Sequence, residues 1–192
     1  MTTTVENDFR AGEKKAQMTG SPELSKVVPA SQIERENDQE TNGLKGVLKD
    51  ATDYIRSFRW CAGVEESFLG IGIARVIGVF LFRIRPAQEQ VDDWVWVIVG
   101  DLPYAYITTE NAPNPATALD AYIGAMEEWV DAAKVGRSVA DLIPVNVEPS
   151  PEYAGMLEGR LQFLDREILS LYTDDLQESW FGHGQCSKST RR

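Results

Sequence analysis

Histidine occurs once in this chain and cysteine twice, while 19 Lys plus Arg face 30 Asp plus Glu, a formal net charge of −11. Each shortage excludes something. A lone His183 rules out imidazole metal ligation in the body of the chain, and any Ser-His-Asp or Cys-His system would have to recruit that one residue near the C-terminus. Cys186 lies three positions after it, but a tail among glycines is a poor place for a preorganised pair. Cys61 and Cys186 have no CxxC spacing and fit no zinc pattern, so free thiols are the simplest reading and a single disulfide the alternative. The deficit of positive charge sets nucleic acid aside as a partner, because affinity for phosphate backbones comes largely from Lys and Arg. It favours solubility and attraction to basic partners instead. Long apolar runs are also lacking. The longest spans residues 68–82 and contains Arg75, short of the ~20 residues a membrane helix needs. The N-terminal MTTTVENDFRAGEKK has no apolar segment of a secretory signal. A cytosolic protein without membrane association is expected.

With 192 residues and 43% hydrophobic content, the chain can bury one proper core. Residues 1–43 are polar, with Phe9 their only aromatic, and read as a disordered arm with one helical turn near SQIEREN. Residues 173–192 end in CSKSTRR and read as a flexible tail. Residues 44–172 remain as a single domain.

Within that domain Leu44, Val47, Leu48, Ala51, Tyr54, Ile55 and Phe58 follow helical spacing. The run SFLGIGIARVIGVFLFRIRP, rich in β-branched and aromatic residues, predicts strands over 67–73 and 76–85 with a bend at Ala74 and Arg75. DDWVWVIVGDLPYAYI supplies two more strands around a turn at residues 100–103. Alternation places Trp94, Trp96 and Ile98 on one face and Val95, Val97 and Val99 on the other. Pairing Val99 with Tyr104 sets Trp96 opposite Ile107 and Val97 opposite Tyr106. Neither face is polar, so both are expected to be covered.

Asn114 followed by Pro115 opens the next helix, with Leu119, Tyr122, Ile123, Met126, Val130 and Ala133 as its apolar stripe and Gly136 as its cap. Ser150-Pro151 opens the last, with Tyr153, Met156, Leu157, Leu161, Leu164, Ile168 and Leu171 on one face. The expected fold is α+β, a four-stranded mostly antiparallel sheet with an N-terminal helix and two C-terminal amphipathic helices, in the order α-β-β-β-β-α-α. The segments GIGI, VFLFRI, DDWVWVIVGDLPYAYI, NAPNPATALDAYI and LIPVNVEPSPEYAGMLEGRL resemble a small family of uncharacterised bacterial proteins over about residues 55–170. That resemblance implies a bacterial cytosolic protein and carries over no activity or catalytic residue.

Chemistry is sparse. Gly70-Ile71-Gly72 begins like a dinucleotide fingerprint, but Arg75 holds the third glycine position and no helix opens there. No cofactor is implied. Carboxylates are the only ample reactive groups. Asp92-Asp93 and Glu65-Glu66 begin strands, where adjacent side chains diverge, and Glu127 with Asp131 shares a solvated helix face with Glu128. Asp101, on the turn after an apolar strand, is the best single candidate, with turn capping as the plain alternative. Trp94 and Trp96 could stack bases only if exposed beside positive charge, yet Asp92, Asp93 and Asp101 frame them. The candidate binding residues are therefore Asp101, Asp92, Asp93, Trp94 and Trp96, with no catalytic or metal-ligating set. The leading expectation is a non-enzymatic protein-binding module of immunity or antitoxin type, engaging a basic protein. A carboxylate-based metal-dependent hydrolase and a structural homodimer joined through the tryptophan face are the alternatives.

Overall fold

A computed structural model describes residues 22–34 and 37–182. Five strands form an antiparallel meander in sequence order: β1 (Val28–Pro29), β2 (Cys61–Ile73), β3 (Ile77–Pro86), β4 (Trp94–Gly100) and β5 (Ala105–Thr108). Four α-helices accompany them: α1 (Asp38–Arg56), α2 (Pro115–Lys134), α3 (Pro151–Phe163) and α4 (Thr173–Gly182). The α+β class holds, but the four-strand expectation is corrected to five. The added strand has only two residues and pairs Val28 with Leu69 and Pro29 with Phe68, too short a segment to show a period.

The folded region reaches further toward both ends than composition indicates. Ala30 and Ile33 are buried, α1 starts at Asp38 on an Asn37 cap, and α4 lies within the expected tail. Residues 1–21, 35–36 and 183–192 lie outside the described residues, and with them the His183 and Cys186 readings.

Alternation along β4 sorts the core into two layers. Trp96 and Ile98 face α2 together with Tyr122, Met126 and Trp129, while Val95, Val97 and Val99 face α1 with Leu44, Val47 and Ile55. Trp96 lies opposite Ile107 and Val97 opposite Tyr106, as the hairpin spacing predicts. Trp96 is fully buried and its indole Nε1 donates to the Ala112 carbonyl oxygen at 2.7 Å. Burying such a ring stabilises strongly only when its polar edge finds a partner, as it does here.

Helix α2 begins as its sequence dictates. The Asn114 side chain accepts from Thr117 N at 3.0 Å and the Thr117 hydroxyl accepts from Asn114 N at 3.2 Å, a capping box before Pro115. That first turn lies against β2, where a Cβ on Gly70 would sit 2.6 Å from Pro115. The glycines of GIGI thus serve helix-on-sheet packing within a continuous strand.

The last helix departs from expectation. Ala154, Leu157, Leu161, Leu164 and Ile168 face the core, whereas Tyr153, Met156 and Leu171 are exposed. Beyond α3 the chain loosens into a π turn at Leu164–Ile168 and a 3₁₀ turn at Leu169–Tyr172, which moves the buried face from Leu171 to Leu169.

Candidate functional site

The β4–β5 turn is built to present Asp101. Gly100 has φ 149°, and a Cβ there would meet the Val76 carbonyl oxygen at 2.3 Å, so only glycine lets the chain leave β4 along β3. Asp101 N then donates to Val76 O at 3.1 Å, which fixes the backbone and leaves the side chain outside. Two tyrosines brace the rest of the turn from opposite layers. Tyr122 of α2 donates its hydroxyl to Pro103 O at 2.8 Å, and Tyr54 of α1 donates to Tyr104 O at 3.3 Å. Burial pushes the Tyr122 phenol well above its ordinary range; burial, helped by Tyr106, raises Tyr54 to about 12. Both hydroxyls therefore stay protonated donors at neutral pH.

Asp101 meets α3. Its Oδ2 lies 2.6 Å from Arg160 Nη1, with the two side chains 59% and 58% exposed. Beside this ion pair opens a cleft of about 520 Å³ whose wall includes Trp129 and Leu157. Its rim carries Tyr104, Val147, Tyr153 and Met156, exposed by 36%, 41%, 47% and 65%. An exposed pair of this kind contributes roughly 0–1 kcal/mol to stability, so its interest lies in what it offers a ligand.

The other sequence candidates lie elsewhere. Asp92, Asp93 and Trp94 stand at the far end of β4, and at ~3.3 Å per residue Asp92 and Asp101 are about 30 Å apart. Asp93 O accepts from Ile84 N at 2.7 Å. Partial burial, then the neighbouring Glu110 and Asp93 charges, push the Asp92 carboxyl above its ordinary value. Trp94 is half-buried, its ring 6.0 Å from Phe68 and 5.9 Å from the Arg83 guanidinium. Arg83 in turn lies 3.8 Å from Glu65 and 3.6 Å from Glu66. Trp96, inside the core, offers no surface. Glu127, Glu128 and Asp131 are exposed on α2, a solvated face.

Sequence reasoning missed Arg160, which no motif marks and which lies on an element remote along the chain. It misplaced Tyr153 and Met156, reading them as core. Asp101 is matched by a cation and not by a second carboxylate, and among the described residues no group of three or more His, Cys, Asp or Glu is arranged to hold a metal ion. Cys61 is a buried thiol pushed up by burial, and none of the described helices is long and apolar enough to cross a membrane.

Comparison with known proteins returns no matching family model, curated protein or solved structure.

Proposed function

We propose that the chain is a non-enzymatic module that binds a basic protein, as immunity and antitoxin proteins do, through the cleft beside Asp101. The observation that carries this reading is the cleft rim: Tyr104, Val147, Tyr153 and Met156 expose large apolar surface in one concavity. Contiguous apolar surface bordered by polar groups is what interaction sites present, and tyrosines anchor interfaces at low entropic cost. Glu148 and Glu152 are exposed next in sequence to the rim residues Val147 and Tyr153. Asp101 is paired with Arg160, and the net charge of −11 draws a basic partner by long-range attraction.

The test is in-cell cross-linking of the tagged chain, with mass spectrometry of the products, beside a Met156→Asp variant. A basic protein linked at residues 153–160 is expected, its recovery falling about thirtyfold in the variant and falling again as salt is raised. A chain recovered without any protein linked at the cleft, or a partner indifferent to Met156→Asp, contradicts the reading.

A further inference from the structure

The sheet ends on β5, and hydrogen-bond parity decides which of its backbone groups are in use. Ile84 N donates to Asp93 O, and Asp101 N donates to Val76 O, both across opposed β3–β4 positions. Opposed residues in an antiparallel ladder alternate between bonded and non-bonded pairs. The odd-numbered residues of β4 are therefore bonded to β3, and Trp94, Trp96 and Ile98 turn their backbone groups toward β5. Since Trp96 opposes Ile107 and Ile98 opposes Ala105, the groups of Ala105 and Ile107 are taken up by β4. Tyr106 and Thr108 then aim N–H and C=O outward, Thr108 is exposed, and no other group among the described residues bonds their backbone.

Edges left this way invite another strand, and proteins usually blunt them with proline, lysine, inward charge or extreme shortness. The opposite edge is blunted differently: β1 is two residues long, one of them Pro29, and covers only Phe68 and Leu69. The rest of β2 there is broken by register shifts and carries Glu65 and Glu66. The β5 sequence AYIT has no proline, no lysine and no charge. We propose that β5 is a docking edge that accepts an extended, basic segment of another protein as a sixth strand.

The occupant follows from what flanks the edge. At the Thr108 end, Glu110 falls opposite Asp93 by continuation of the β4–β5 register, with Asp92 beside them. At the Tyr104 end stand Asp101 and Asp50, the latter close enough to act on the Tyr104 phenol. Between these acids, on the α1 side, Phe58, Trp60 and Tyr106 form a half-buried ledge with ring centroids 5.1–5.2 Å apart. Such a ledge accepts the stems and cations of Lys or Arg. Arg56 and Arg59 at the end of α1 add positive charge on that side, and Asp101 is already matched by Arg160. The carboxylates that draw a cation are therefore Asp50 at one end and Asp92, Asp93 and Glu110 at the other. A second copy is the wrong occupant. Antiparallel β5–β5 pairing would set the Asp92–Asp93–Glu110 end of one chain against the Asp50 end of the other, acid against acid. Strand addition of this kind takes affinity from the main chain and specificity from alternate side chains.

This inference rests on the protein-binding reading and not on the cleft, and one experiment separates the two. A synthetic peptide alternating lysine and valine is titrated into the full chain, with anisotropy and amide exchange as readouts. Two control peptides accompany it, one with glutamate for lysine and one N-methylated at every residue. The lysine peptide is expected to bind and to slow exchange at Tyr106 and Thr108 at least about tenfold. Both controls should bind at least about tenfold more weakly, Thr108→Pro should abolish binding, and Met156→Asp should leave it unchanged. Absence of binding, or equal binding by the N-methylated peptide, overturns the edge inference. Binding lost in Met156→Asp but kept in Thr108→Pro also overturns it while leaving the cleft reading standing. A concentration-dependent dimer that protects Tyr106 and Thr108 without peptide overturns it in favour of self-pairing.

Discussion

At one edge of the sheet β1 contributes two residues, one of them Pro29, and its flanks are tied down from outside: Glu23 N donates to Pro113 O at 2.8 Å, and Lys26 Nζ reaches Asp175 Oδ1 at 2.6 Å. At the other edge β5 contributes four residues, held by β4, by the two tyrosine hydroxyls of its turn and by the packing of Tyr106 on Phe58 and Trp60. The first edge is closed by proline and tertiary ties where β1 lies, and is interrupted by register shifts and glutamates along the rest of β2. The second keeps an ordered strand whose outward backbone groups have no partner among the described residues. An ordered, unblunted edge next to an exposed apolar cleft is what the proposed binding role requires, and the contrast can be broken by substitution.

The largest effect separates two neighbouring residues of β5. Ile107→Pro removes an N–H that bonds β4 and is expected to cost about 3 kcal/mol. Thr108→Pro removes one that faces outward and should cost under about 1 kcal/mol. Urea denaturation followed by tryptophan fluorescence reads both, and equal losses would erase the distinction between inward and outward positions.

Next comes the β1 edge. Asn114 is fully buried, caps α2, and donates Nδ2 to Asp175 O at 3.0 Å, joining α2 to the α4 segment that Lys26 also grips. Asn114→Ala is expected to cost roughly 1–2 kcal/mol. Limited proteolysis should then accelerate within residues 22–34 while cleavage near β5 is unchanged; acceleration at both edges would mean the two are not independent.

The smallest effect is a pH dependence at the Thr108 end of β5. Asp92 has a raised carboxyl value in the folded chain, from partial burial and then the Glu110 and Asp93 charges. In the window between the ordinary 3.8 and that raised value, the folded state binds more protons than the unfolded one. The stabilising contribution is therefore present below the ordinary value and lost as pH rises through the raised one. Asp92→Asn should melt slightly higher than the parent chain at neutral pH, with the gap closing as acid protonates the parent carboxyl. A gap that widens in acid would show that Asp92 is held by favourable contacts instead.

Much of the architecture is legible in the residues because local rules agree there. Alternation in WVWVIV and the proline-bounded turn set the Trp96–Ile107 register, and Asn114-Pro115 marks the start of α2, all as found. What escaped depends on contacts remote in sequence. The strand Val28–Pro29 has no period of its own and exists because Leu69 and Phe68 lie alongside. Ala154 turns inward and Met156 outward on a regular helical turn, which hydropathy misreads because a small residue carries little signal. Past Leu164 a π turn moves the buried face so that Leu169 and not Leu171 is covered. Within the site, Asp101 was visible from its turn, while Arg160 could be found only once α3 was packed on α2 and brought to that turn. Asp92, Asp93 and Trp94 looked continuous with Asp101 along the sequence, but the length of β4 separates them into the two ends of one edge.

Native-state amide exchange along β5 of the chain alone tests the central claim most directly. Slow exchange at Ala105 and Ile107 with fast exchange at Tyr106 and Thr108 is the result expected of an open edge. Uniform protection across all four amides would contradict it and show that the edge is already covered.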